Sequence, residues 1–455
     1  MESMSKKSRS CESNDGIEDR LSGLPDELIV HILSLMPTLD AVRTMLIQRF
    51  RNLWTLVPAL SFENYGRISR MADKPPSTHV ASSSFACFVQ NALLLNRRST
   101  IDTFRLCICN SDKKSTDAII GDVRMWLRYA IEREVKDLYF RYEAPNFDLP
   151  GCVFTSQYLV TLTLARCMLK HYEHQSQLEM INLRKLSLLH VYGSTKAFDQ
   201  LISGCPCLQE LIIITTFGQR LSSLNINSPS VRKLYLHMYN TSCTLNCPSL
   251  NNLDISICGI LPIQLNIIGV ISLQEVNFKD LPRDCDSGEI NAYFRQFQNA
   301  ELISLSCKSF EKISSVEKME FAHSRWKRIV LHPQWDCERC LEVICMLMKS
   351  SINLEELIIY AGESSGSKCE LVCPKLYTCV LPLLKTVTIH GNHGYENWCK
   401  GQLQVIQFLL RNAVVLDKLV ITLGKSELTT AEELDLIKQV STFRRASADA
   451  TVIFA

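Results

Sequence analysis

The sequence predicts an α/β chain: a solenoid of short parallel strands, opened by three short helices and closed by a smaller α/β segment. Three observations predict it. First, the pattern apolar-x-x-apolar-x-apolar recurs between Ile101 and Ile421. Second, copies starting at 135, 159, 183, 208, 231, 250 and 273 are spaced by 24, 24, 25, 23, 19 and 23 residues, the roughly 20–29-residue period of leucine-rich repeats. Third, the flanks differ from the repeats. Residues 18–62 hold helical runs punctuated by proline, and the stretch from residue 373 alternates strand and helix patterns.

Taken in order, residues 1–17 are polar and mixed in charge. Lys6, Lys7 and Arg9 precede no apolar run, so a disordered tail is expected rather than a secretory signal. In 18–62, Leu28, Ile29, Ile32, Leu33, Leu35 and Met36 recur at helical spacing behind Leu24-Pro25. Pro25 suits a first helical turn, and Asp26 and Glu27 suit its positive end. Pro37 stops this helix. Thr38 is expected to cap the next, which carries Val42, Met45 and Leu46. So short a segment is weakly stable alone. The pattern leaves open whether it packs on the rest of the chain or offers an apolar face to a partner.

These residues resemble an F-box of the plant type. The matching pieces are Asp19-Arg20-Leu21-Ser22, Leu24-Pro25-Asp26-Glu27-Leu28, His31-Ile32-Leu33-Ser34, Met36-Pro37-Thr38, Ala41-Val42-Arg43-Thr44, Arg51-Asn52-Leu53-Trp54 and Val57-Pro58. The resemblance implies docking to a Skp-type adaptor and, through it, to a cullin scaffold. The implied adaptor contacts are Leu24, Pro25, Leu28, Ile29, Ile32, Leu33, Val42, Leu46, Arg49 and Phe50. Ile47, Gln48 and Phe50 depart from the usual Ser-Lys-Arg-Trp ending. Losing the indole's area implies adaptor binding weaker by about 1 kcal/mol at roughly 25 cal/mol per Å².

A polar linker is expected over 63–84, with Pro75-Pro76, and an apolar helix over Phe85 to Leu95. Repeats are expected over 85–372. The further copies read Ile101-Phe104-Leu106, Leu302-Leu305-Cys307, Trp326-Ile329-Leu331, Leu354-Leu357-Ile359, Leu384-Val387-Ile389 and Leu416-Leu419-Ile421. The last two apolar positions of each copy share one face of a strand, and stacking buries that face. Wider spacing after 273 calls for longer connections, such as a helix over Asp336 to Ser351 with Leu341, Ile344, Cys345 and Met348 on one face.

Twenty cysteines without a secretory signal suggest reduced thiols, hence cytosol or nucleus. Cys109, Cys167 and Cys258 stand where the repeat wants Asn or Cys at its turn. Cys-Pro and Ser-Pro pairs at 205–206, 228–229, 247–248 and 373–374 precede strands or their approach. The pairs Cys107/Cys109, Cys205/Cys207 and Cys337/Cys340 invite a zinc reading. Even Cys337/Cys340, with His332 nearby, lacks a second ligand pair, so no metal is expected.

From residue 373 the chain resembles the FBD region that ends many plant F-box proteins. Leu381-Pro382-Leu383-Leu384-Lys385-Thr386-Val387-Thr388-Ile389, Gln407 to Ile421 and Phe443-Arg444-Arg445-Ala446-Ser447 carry the likeness. Leu403, Ile406, Phe408, Leu409 and Leu410 are expected on the buried side of its first helix. Tyr395, Trp398 and Cys399 lie in a loop that departs from the usual acidic, glycine-rich one. The region is expected to cap the solenoid.

Lys plus Arg number 49 and Asp plus Glu 47, which gives no argument for nucleic acid or a membrane surface. No phosphate-binding, zinc-protease or nucleophile-elbow motif occurs, so no cofactor and no intrinsic enzyme are expected. Residues alternating with the buried strand positions line the concave side. Tyr139, Lys185, Glu210, Lys233, Tyr235, Asp254 and Glu275 are the expected target contacts. A merely solvated sheet face is the bland alternative, and loops often carry recognition instead. The expected role is a non-catalytic substrate-recognition subunit of a Skp–cullin–F-box ubiquitin ligase. The rivals are an interaction protein with a degraded F-box and a small-molecule co-receptor.

Overall fold

The computed structural model describes residues 23–455 apart from 65–77, 110–118, 143–146, 171–177, 216–220, 222, 260–263, 271, 281–285, 307–312, 314–323, 334–339, 361–379, 392–399 and 423–429. Fifteen strands form one parallel sheet in sequence order. They are β1 Ala59–Asn64, β2 Thr103–Ile108, β3 Asp137–Tyr142, β4 Thr161–Ala165, β5 Lys185–Leu189, β6 Glu210–Ile214, β7 Lys233–Tyr239 and β8 Asn252–Cys258. Then come β9 Glu275–Asp280, β10 Leu302–Leu305, β11 Arg328–Leu331, β12 Glu356–Tyr360, β13 Thr386–His390, β14 Lys418–Thr422 and β15 Thr451–Phe454.

The apolar pattern sets the register. Phe104, Leu138, Leu162, Leu186, Leu211, Leu234 and Leu253 pair strand to strand, all buried. Leu106, Phe140, Leu164, Leu188, Ile213, Leu236 and Ile255 form the next buried row. A slip by one residue would turn both rows to solvent. One carbonyl just before each strand from β1 to β13 also accepts two N–H groups of the following unit. Lys136 O takes Val160 and Thr161 at 2.8 and 2.9 Å, and Lys385 O takes Asp417 and Lys418 at 2.9 and 3.1 Å.

The same ladder starts inside the F-box segment. Pro58 O accepts from Asp102 and Thr103 at 2.9 and 3.3 Å. Val57, Leu60 and Phe62 are a further copy of the repeat pattern, and Leu60 and Phe62 pair with Phe104 and Leu106. The expected change from F-box to linker after residue 62 therefore falls within β1. The expected copy at Leu302-Leu305-Cys307 is shifted by two: Val276 pairs with Ile303 and Phe278 with Leu305, so the buried set is Ala300, Ile303 and Leu305. Leu302 is half-buried on the other face, and Cys307 lies outside the described residues. Alanine at the first position hid the true register.

Nine helices are described among these residues: α1 Asp26–Ser34, α2 Thr38–Arg43, α3 Thr78–Leu95, α4 Ile120–Glu132, α5 Thr195–Ser203, α6 Ser287–Gln296, α7 Cys340–Ser350, α8 Lys400–Asn412 and α9 Thr430–Ser441. Three 3-10 turns, Thr44–Leu46, Gln48–Phe50 and Leu53–Leu56, follow α2 in place of one longer run. α3 begins within the expected linker. In α7, Ile344, Cys345 and Met348 are buried as expected, while 336–339 and the Leu341 side chain fall outside the description. In α8, Ile406, Phe408, Leu409 and Leu410 are buried and Leu403 half-buried. The loop with Tyr395, Trp398 and Cys399 lies outside the described residues. β15 extends the sheet beyond the expected FBD elements.

Where the repeats are shortest, the return side holds strands instead of helices. Ser223–Asn227, Ser242–Asn246 and Leu265–Ile268 pair in parallel as a second sheet. Its first edge lies against α5, where Thr195 Oγ1 donates to Ser223 O at 2.7 Å. At its last edge, Gln296 accepts from Ile267 N at 2.8 Å and donates to Leu265 O at 3.0 Å. Both contacts occupy backbone groups that would otherwise template pairing with another chain.

Candidate interaction surfaces

Two surfaces can hold partners. The first is built on residues 24–56. Ile29 and Leu33, one turn apart on α1, are each 2% exposed. With Leu53, Trp54 and Val57 they join the chain's own core. A second face of α1 carries Leu28 and Ile32, followed by Leu35 at its C-cap, and the turns after α2 carry Met45, Leu46 and Ile47, all exposed; Leu35 is 75% and Leu46 87% exposed. The segment thus does both things the pattern allowed. It packs on the solenoid with one face and presents the other.

Of the expected adaptor contacts, Leu28, Ile32 and Leu46 lie on this open face with Pro25, and Leu24, Val42 and Phe50 are half-buried beside it. Ile29 and Leu33 point inward and are corrected to core residues. The helical spacing could not say which of two apolar stripes faces out. Leu35, Leu39, Met45 and Ile47 belong to the open face and were not among the expected contacts. Arg49 bonds to Asp26 and donates to Leu24 O at 3.3 Å, fastening the segment's start to its end. Thr38 is also corrected. Pro37 holds the cap position of α2, and Thr38 Oγ1 accepts from Ser61 N at 2.7 Å. It therefore closes the free edge of β1 rather than a helix end.

The second surface is the concave face of the sheet. Register sets Asp137, Thr161, Lys185, Glu210, Lys233, Asn252 and Glu275 in one row. Tyr139, Thr163, Ser187, Ile212, Tyr235, Asp254 and Asn277 make the next. All seven expected target contacts sit in these rows. Several pair among themselves. Lys185 meets Glu210 at 2.8 Å, Asn252 donates to Glu275 at 2.6 Å, and Lys279 and Asn277 reach Asp254 at 2.8 and 2.9 Å. Arg105 lies 3.9 Å over the Tyr139 ring and 2.8 Å from Glu63. Burial raises the Asp137 carboxyl above its usual range, with Arg105 and Lys185 pulling it back.

Both rows run on past residue 277, beyond the expected set. There the second row becomes more apolar, with Val330, Ile358 and Val420 half-buried and Ile453 exposed, while the first keeps Arg328, Glu356, Thr386, Lys418 and Thr451. Beside them His332, Tyr360 and His390 stack ring on ring at 4.7 and 4.5 Å, ending on Thr422 at 3.0 Å from His390. Repeating units place like positions side by side, so rings at equivalent places must stack. Reading the concave rows to the last strand would have found them.

The buried cysteines serve packing, while Cys87 and Cys207 are exposed. Cys167, Cys205, Cys243 and Cys247 are buried, and burial pushes the Cys167 and Cys205 thiols up to about 12. Such thiols are poor nucleophiles and poor ligands. Of the other expected turn cysteines, Cys109 lies 3.5 Å from Cys107, and Cys258 reaches the Asp280 carboxylate at 3.8 Å. Cys337 and Cys373 lie outside the described residues. Among the described residues no three His, Cys, Asp or Glu side chains come together as a metal site, and no helix is long and apolar enough to cross a membrane.

Known proteins share this layout. A family model described as FBD-associated F-box protein At5g56370, LRR repeats, matches residues 123–274, and one described as FBD matches 377–421. Among curated Arabidopsis thaliana relatives, F-box/FBD/LRR-repeat protein At2g26030 is 25% identical over 96% of this chain and 99% of its own length. F-box/FBD/LRR-repeat protein At5g56420 is 32% identical over 48% of this chain and 49% of its own. Probable FBD-associated F-box protein At1g32375 is 25% identical over 96% of this chain and all of its own length. The chain thus carries leucine-rich repeats and an FBD region, and over most of its length it is similar to F-box/FBD/LRR-repeat proteins of Arabidopsis thaliana.

Proposed function

We propose that the chain is a substrate-recognition subunit of a Skp–cullin–F-box ubiquitin ligase, working in the cytosol or nucleus. The observation that carries this is the open apolar face of residues 24–56. Leu28, Ile32, Leu35, Leu39, Met45, Leu46 and Ile47 are exposed within a segment whose other face is already buried. Contiguous exposed apolar surface on an otherwise well-packed chain marks a partner site. The F-box names of the relatives point to a Skp-type adaptor as that partner. The chain contributes no catalytic group. The concave face holds a target protein, and docking raises the effective concentration of its lysines near the ubiquitin-charged enzyme.

Ubiquitin-remnant profiling with and without the chain tests this reading. Expected are remnant sites on a small protein set that disappear both without the chain and with Leu35→Asp plus Leu46→Asp. A remnant profile that the chain does not change would refute it.

A further inference from the structure

The ends of strands β3 to β7 gather basic side chains, two arginines and two histidines. Arg141 of β3 is in register with Ala165, which neighbours Leu189, then Ile214, then His237 of β7. One residue past their strands, Arg166 and His190 have left-handed backbones, with φ of 50° and 54°. Their amides hold them there, donating to Leu189 O at 2.9 Å and Ile214 O at 2.7 Å. Residues other than glycine adopt that conformation uncommonly; histidine, asparagine and aspartate do so more often than arginine. Two consecutive repeats thus place a basic residue at the same unusual position.

His190 is half-buried, and its Nδ1 is shielded from solvent without a hydrogen-bond partner. A buried polar atom left unsatisfied is costly, and a ligand atom relieves it. Burial, then the charges of Arg166, His237 and Arg141, hold the His190 imidazole below its usual pKa. The guanidiniums of Arg166 and Arg141 carry fixed positive charge, which favours an anion. Between them lie Leu189 and Ile214, both half-buried and apolar. This floor lowers the local dielectric and strengthens a charge-assisted bond.

We infer that Arg141, Arg166, His190 and His237 form a binding site for an oxyanion, a phosphate or carboxylate group, on the concave face. Two sources share this chemistry: a free small molecule, or a side chain of the protein held there. The inference does not rest on adaptor docking, since its test uses the full chain alone.

The experiment is calorimetric titration at low ionic strength with sodium pyrophosphate, and with a phosphoserine peptide beside its unphosphorylated twin. Pyrophosphate binding assigns a free anion. Phosphopeptide binding without pyrophosphate binding assigns a group on the held protein. Either supports the site. Arg166→Gln with His237→Gln changes two exposed residues and should weaken binding about tenfold or more. In a histidine-resolved NMR titration, the bound probe should also raise the His190 pKa, which a purely structural histidine would not show. The inference is overturned by no binding of any probe at millimolar concentration, by unchanged affinity in the double variant, or by an unmoved His190 titration with probe bound.

Discussion

Phe62→Ala tests whether the F-box segment and the solenoid are one cooperative unit at their seam. Phe62 is 1% exposed, with its ring 5.9 Å from both Phe88 of α3 and Phe104 of β2. Truncating such a phenylalanine costs about 3–5 kcal/mol. The lost edge-to-face contact with Phe88, at about 0.5–1.5 kcal/mol, is part of that sum. In a solenoid each unit contacts mainly its neighbours, so the loss should stay local. It should fall on β1, on α3, and on Asn96, which donates to Val57 O at 3.1 Å. The assay is hydrogen exchange by mass spectrometry. Peptides spanning 53–64 and 84–96 should lose protection, while those spanning β6 to β8 keep it. Unchanged exchange at 53–64 would refute the view that β1 is a structural repeat. Equal loss along the whole chain would refute the locality.

Three further outcomes follow from the structure. Ile29→Ala should lower stability by about 2–5 kcal/mol, because its side chain is core, whereas Leu35→Ala should stay within about 0.5 kcal/mol; thermal melts of the two variants check this. Phe50→Trp should tighten adaptor binding about fivefold if added ring area is worth about 1 kcal/mol, as read by biolayer interferometry. Burial lowers the His332 pKa, so the folded state prefers the neutral ring. Its contribution is full above the unfolded value near 6.5 and is lost as pH falls through that value toward the folded one. Melting temperature should therefore drop between neutral pH and about pH 5, and His332→Gln should remove part of that drop.

Most of the sheet was legible because leucine-rich patterning is strict where both buried positions must interlock. Leu159-Leu162-Leu164 could take no other register. The same rule hid what it did not label. Val57-Leu60-Phe62 fits the pattern but sits within residues read as an F-box, and a segment can belong to both. Asp449 stands where β15 should have its leading apolar residue, since Thr451 aligns with Lys418, two residues after Leu416. The return strands alternate Leu224 with Ile226 and Cys243 with Leu245. That two-residue period lies in connections too short for a helix of ordinary length.

The sites were less legible. Hydrophobic periodicity finds both apolar stripes of α1, but only packing against Trp54 and Val57 decides which stripe is spent inside. The cation group at Arg141, Arg166, His190 and His237 is invisible in sequence, because its members come from four strands and the turns after them. Their spacings of 25, 24 and 47 residues, one or two repeats, become neighbourhood only once the sheet is formed.

The most direct test of the account mixes the purified full chain with a purified Skp-type adaptor and follows complex formation by size-exclusion chromatography with light scattering. A one-to-one complex at micromolar concentration is expected, lost when Leu35 and Leu46 are both changed to aspartate in a chain that still melts normally. No complex at that concentration, or one indifferent to both substitutions, would contradict the reading of the open apolar face.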